Sequence, residues 1–167
     1  MTKIYFSKEF WIKFFSTGFG VAYLVPFGQG IWGVVLGCIV ALLINSWFLI
    51  PKLIFLIVLV IISIPLATQA EKLFKKGKDP QLFVLDEVIG IGLVFLWFNM
   101  WQEITLFHIS IPLFVLLAVI YTFFDAVEPF PIKRIEKLPG GWGIVLDDIM
   151  AGIYTIISFV IILRIFG

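Results

Sequence analysis

Only one cysteine, Cys38, and one histidine, His108, occur in the 167 residues. A lone cysteine excludes an internal disulfide and a thiolate metal cluster, and a lone histidine excludes the imidazole-rich sites that suit zinc and copper. Charge is scarce as well: 14% of residues are charged, against roughly 25% in a soluble domain. The twelve basic residues are divided among short loops and form no basic face, which argues against a nucleic-acid partner. Met1 to Phe15 intersperses Lys3, Lys8 and Lys13 with aromatics and lacks the pattern of a cleavable signal peptide.

What the chain has in abundance is apolar surface. Hydrophobic residues make up 62% of it and the mean hydropathy is +1.14, the composition of an integral membrane protein. No internal shift in composition divides residues 1–167, so one membrane-embedded domain is expected.

A membrane span needs about 20 mostly apolar residues to cross a hydrocarbon core of roughly 30 Å. The runs Ile31 to Ile50, Leu53 to Ala67, Leu82 to Met100, Ile104 to Phe124 and Gly143 to Phe166 predict an all-α bundle of about five transmembrane helices. Pro112 is expected to mark the start of regular helix in the fourth run. Met1 to Phe15 reads as an interfacial amphipathic helix preceding the spans.

Orientation follows from the basic residues of the short loops. With a cytoplasmic N-terminus, that side holds Lys3, Lys8, Lys13, Lys72, Lys75, Lys76, Lys78, Lys133, Arg134 and Lys137, and the far side only Lys52 and Arg164. This predicts a multi-pass membrane protein with its N-terminus on the cytoplasmic side. His108 falls toward the far side, a poor position for a ligand or base.

The same orientation gathers acids at one depth. Asp86 and Glu87 open the third run, Asp125 closes the fourth, and Asp147 and Asp148 open the fifth, all at the cytoplasmic end. A carboxylate in an apolar run costs on the order of 2.5 to 3.5 kcal/mol on insertion scales. Any one of these acids, Asp125 and nearby Glu128 especially, is explicable as a helix cap or interfacial residue; five at one depth call for a common cause, and the natural one is a cation. Asp86 and Gly90, and Asp148 and Gly152, are four apart, so each acid shares a helix face with a glycine that admits a neighbouring backbone.

Hard carboxylate oxygens without cysteine or clustered histidine select magnesium, manganese or calcium. Asp86, Asp125 and Asp148 are the expected direct ligands, with Glu87 and Asp147 as further ligands or supports. Lys78, Lys133 and Arg134 flank this end and suit a phosphorylated lipid entering from the headgroup layer. Gly18, Gly20, Gly28, Gly30 and Gly33 precede or open the first run; Gly28 and Gly30 are candidates to bring backbone amides to a phosphate. Their spacing matches neither the nucleotide P-loop nor a Rossmann fingerprint. An ion-coupled transporter also uses intramembrane acids, but near the bilayer midplane.

Four blocks carry a resemblance: TGFG with PFGQGIWG (Thr17 to Gly33), KDPQLFVLDEVIG (Lys78 to Gly90), FFDAVEPFPIKR (Phe123 to Arg134) and LPGGWGIVLDDIMAG (Leu138 to Gly152). Together they resemble the phosphatidylglycerophosphatase A family, magnesium-dependent lipid phosphatases of bacterial membranes. The resemblance implies hydrolysis of phosphatidylglycerophosphate to phosphatidylglycerol, a membrane phospholipid as substrate, and an acidic centre of Asp86, Glu87, Asp125, Asp147 and Asp148. Three positions depart from the family pattern. Ile31 stands where a threonine usually follows the glycine, Thr122 where an arginine precedes the loop aspartate by three, and Glu128 where a lysine precedes the proline. These departures leave room for a paralogue that acts on another lipid phosphate or only binds it.

Overall fold

The computed structural model describes residues 7–24, 28–74, 82–106 and 109–166. Among them seven α-helices run in order: α1 Lys8–Ser16, α2 Gln29–Leu43, α3 Leu49–Phe74, α4 Leu85–Val94, α5 Leu113–Val127, α6 Ile132–Ile135 and α7 Gly141–Phe166. A two-stranded hairpin, β1 Glu103–Leu106 and β2 Ile109–Pro112, stands between α4 and α5.

The fold is mostly helical, as expected, but the elements are shorter and more varied than five equal spans. At about 1.5 Å per residue, the 26 residues of α3 and of α7 reach about 39 Å. These two are long and apolar enough to cross a membrane. The fifteen-residue α2 and α5 reach about 22 Å, and the ten-residue α4 about 15 Å.

Two runs read as spans are only partly helical. Leu82 to Met100 is helix over Leu85–Val94, and its end turns back through Phe95 and Leu96. The fourth run is helix only from Leu113, where Pro112 is the N-cap residue. Before it, the β-branched alternation of Ile104, Thr105 and Ile111 favours a strand, and Ile104 pairs with Ile111 and Thr105 with Ser110. The Ser110 hydroxyl donates to Glu103 Oε2 at 2.6 Å. His108 lies outside the described residues.

Ser7 caps α1 by accepting from the Phe10 amide at 3.1 Å, and residues 1–6 of the expected interfacial helix lie outside the described set. Phe10, Trp11, Phe14 and Phe15 pack on one another along this helix, an arrangement suited to a headgroup layer. On α3 a face of Ile50, Ile54, Ile57, Ile61 and Ile62 is exposed. A continuous aliphatic face of this kind fits contact with lipid rather than water.

The centre of the bundle is α4. It packs against α2, α3, α5 and α7, and Val88, Ile89, Gly90, Ile91 and Val94 are all buried. A helix apolar on every side belongs inside a bundle. Its closest neighbour is α7, through the two glycines: a Cβ on Gly152 would stand 2.6 Å from the Gly90 carbonyl oxygen, and a Cβ on Gly90 2.6 Å from the Asp148 carbonyl oxygen. That backbone approach sets Asp86 and Asp148 at the same end of the crossing.

Candidate active site

Each acid is positioned by a helix end or a helix crossing. Asp86 and Glu87 occupy the first turn of α4, where the partial positive charge of the helix N-terminus favours them. Asp86 is 2% and Glu87 7% exposed, so both are inside the bundle. The Asp86 carboxylate accepts from the Glu87 amide at 3.0 Å. The turn before α4 is tied to the N-terminal region by the Val84 amide donating to the Ser16 carbonyl at 2.9 Å.

Glu87 faces α2 where that helix is reduced to glycine. A Cβ on Gly33 would lie 2.7 Å from Glu87 Oε2, and one on Gly30 3.0 Å from Oε1. The spacing Gly30–Gly33 thus makes a notch for one carboxylate. Gly28, the N-cap residue of α2, has φ of 65°, a left-handed conformation that glycine adopts without strain.

Leu113, Leu117 and Tyr121 are buried on one stripe of α5, and Asp125, four residues on, continues it to the end of the helix. Asp125 is half-buried and lines the same cavity as Asp148. Asp148, buried on α7, also accepts from the Tyr121 hydroxyl. It lies within electrostatic reach of Asp86, Asp125 and Asp147. Asp147 is half-buried and accepts from the Asp148 amide at 2.9 Å.

A cavity of about 350 Å³ opens on these groups. Gly28, Gly30, Glu87, Thr122, Asp125 and Asp148 line it, with Ile31, Val34, Phe83 and Ala126 as apolar walls. Five of the residues singled out in the sequence therefore share one cavity. Asp86 stands behind it, and Asp147 reaches Asp148 from beside it. Lys133 and Arg134, on α6, are exposed and are not among the lining residues; the Arg134 guanidinium stacks 5.5 Å from the centre of the Phe130 ring. Lys78 lies outside the described residues.

Tyr121 is the residue that sequence reasoning passed over. Its signal was present, one turn before Asp125 on the buried stripe, but a tyrosine in an aromatic-rich apolar run carries no mark of its own. Ile31 and Thr122, noted only as departures, both line the cavity. Glu128, the third departure, caps the C-terminus of α5 with φ of 46°.

Asp125 and Asp148 line one cavity with apolar walls, and carboxylates in such a surround are stabilised by a proton or a cation. Among the described residues no three acids or other ligating groups converge as a ready-made metal cage. Magnesium ordinarily uses one or two carboxylates and takes its remaining ligands from phosphate oxygens and water. Asp125 and Asp148, beside a cavity with room for a phosphate, have the donor chemistry for that ion.

Comparison with known proteins points to a lipid phosphatase. A family profile described as Phosphatidylglycerophosphatase A matches residues 14–163. A Haemophilus influenzae protein named Phosphatidylglycerophosphatase A is 30% identical over 151 residues, covering 87% of this chain and 85% of that protein. A Bacteroides thetaiotaomicron protein provisionally named a phosphatidylinositol-3-phosphatase is 28% identical over 156 residues, covering 85% of this chain and 87% of its own. No solved structure is significantly similar. The chain belongs to the phosphatidylglycerophosphatase A family.

Proposed function

We propose that this lipid phosphatase hydrolyses the phosphate monoester of phosphatidylglycerophosphate, with magnesium, at the cytoplasmic face of a bacterial membrane. The observation that carries the reading is that Asp125 and Asp148 line one cavity together with Gly28 and Gly30 at the N-terminus of α2. Asp125 and Asp148 would hold the ion, with Asp86 and Glu87 as further ligands or neighbouring charge. When bound, magnesium neutralises phosphate charge and readies a water for attack.

The protein's own groups supply the rest. Gly28 and Gly30 bring the partially positive N-terminus of α2 to the cavity, where it suits a phosphate. Tyr121 holds the Asp148 carboxylate in one orientation, and Asp147 accepts from the Asp148 amide beside it. The apolar walls from Phe83, Val34 and Ala126 limit water to what the site admits. In hydrolysis the bond between phosphorus and the glycerol oxygen breaks, the lipid alcohol takes a proton, and inorganic phosphate leaves. The attacking oxygen is that of water, or that of an aspartate through an acyl phosphate. Trapping phosphate on the protein distinguishes the two.

The lysine and arginine asymmetry supports a cytoplasmic site in a multi-pass chain. In this reading α3 and α7 span fully, and α2, α4 and α5 fill the bundle between them, completed to about five passes by their flanking segments. A second lipid phosphate, phosphatidylinositol 3-phosphate, is the competing substrate. Ile31 and Thr122 on the cavity wall favour considering it, because a headgroup would meet both. Phosphate release from each lipid by the purified protein in detergent decides: faster turnover of phosphatidylglycerophosphate supports the proposal, and turnover of the inositol lipid alone overturns it.

A further inference from the structure

A second cavity, of about 530 Å³, lies between α2 and α5. It continues directly from the acidic one, since Ile31, Val34 and Thr122 line both. Along it Val34 is buried and Cys38 and Ala118 are half-buried, while Val35, Ile39 and Val119 are exposed along its edges. Apart from the Cys38 thiol, its one polar side chain is that of Thr122, whose hydroxyl donates to the Ala118 carbonyl of its own helix at 2.9 Å. The groove is thus apolar along its length and open sideways.

Its length and polarity have a direction. The two helices meet the acids at opposite ends of their sequences, α2 by its N-terminus and α5 by its C-terminus. The groove then runs from Ile31 to Leu42, which is about 16 Å along a helix. That is about half of a hydrocarbon core of roughly 30 Å, the depth of one leaflet. A phosphate compartment at one end and a leaflet-deep apolar channel at the other follow the order of groups in a phospholipid.

We infer that the α2–α5 groove receives an acyl chain of the lipid whose phosphate enters the acidic cavity. The assignment rests on the phosphatase reading and extends it from headgroup to tail. A neighbouring helix or a second copy seated in the groove would close the side through which a lipid enters. A substrate chain instead uses both compartments at once.

The test pairs turnover with a direct map of the chain. Phosphate release is measured from phosphatidylglycerophosphate with palmitoyl or hexanoyl chains, at fixed mole fraction in mixed micelles, for wild type, Ile39→Trp and Val115→Trp, two lining residues about 10 to 12 Å from the acidic end. The groove predicts a loss of roughly tenfold or more in kcat/KM for the long chains in either folded variant, with the short-chain lipid within about twofold of wild type. Equal losses on both lipids, or none on either, overturn it.

In parallel, a palmitoyl lipid phosphate with a mid-chain diazirine is photo-crosslinked to wild type and mapped by mass spectrometry. Crosslinks on the groove faces of α2 and α5, depleted in Val115→Trp, support the assignment even if no phosphate is released, in which case only the hydrolysis reading falls. Crosslinks spread over the outer face of α3, or links between two copies at α2 and α5, overturn it.

Discussion

The Tyr121 hydroxyl donates to the Asp148 carboxylate across the contact between α5 and α7, and neither side chain is open to bulk solvent. A buried carboxylate that accepts from a phenol is restricted to one rotamer, and the bond therefore fixes Asp148 on the wall of the cavity it shares with Asp125. Tyr121→Phe keeps the ring and removes the donor. Hydrogen bonds to charged groups are worth about 1.5 to 3 kcal/mol, so kcat should fall roughly 10- to 100-fold while the short-chain substrate KM changes little. Unchanged kcat in a folded variant would remove Tyr121 from the account.

Asp125 and Asp148 should behave as a unit. Each of Asp125→Asn and Asp148→Asn is expected to cost more than about 100-fold in kcat, and the double variant no more than the worse single one, because groups serving one ion are non-additive. Phosphate-release kinetics on all three proteins measure this. Losses that multiply would mean the two acids act separately.

The crossing of α4 and α7 makes a stability prediction. Gly152→Ala places a methyl against the Gly90 carbonyl, and overpacking costs about 1 to 3 kcal/mol; Gly92→Ala, whose added carbon would meet only the end of Leu56 at 3.3 Å, should be mild. Thermal unfolding in detergent should show the first variant clearly destabilised and the second close to wild type. The reverse order would contradict the packing described.

Thr122→Arg introduces a guanidinium on the wall of a cavity rich in carboxylates. If a phosphate binds there, a charge-assisted bond of about 1.5 to 3 kcal/mol should lower KM roughly 10-fold or more, provided the ion is present. Titration of the substrate in micelles tests it. A raised KM would place the phosphate away from Thr122.

The grouping of the acids was more legible in the chain than its element lengths. Carboxylates in apolar runs are costly, so Asp86, Glu87, Asp125, Asp147 and Asp148 stood out, and the four-residue spacing to Gly90 and Gly152 foretold the helix crossing. Tyr121 stayed hidden because its value depends on a partner 27 positions away. Ile104 to Pro112 falls inside the fourth apolar run, and hydropathy does not mark the strands there, because a short apolar run fits either period. Likewise, hydropathy alone does not separate a full span from the buried, ten-residue α4, since both are apolar throughout. The exposed side of Lys133 and Arg134 reflects the turn of α6, which loop charge alone does not reveal.

We propose that the Asp125–Asp148 pair holds magnesium for phosphate hydrolysis. The most direct measurement is phosphate release from phosphatidylglycerophosphate by purified wild type and Asp148→Asn, each with magnesium and with a chelator, and with Glu103→Gln as the control. The account predicts release by wild type and the control only when magnesium is present, and none above background by Asp148→Asn in either condition. Magnesium-independent release, or full activity in Asp148→Asn, would contradict it.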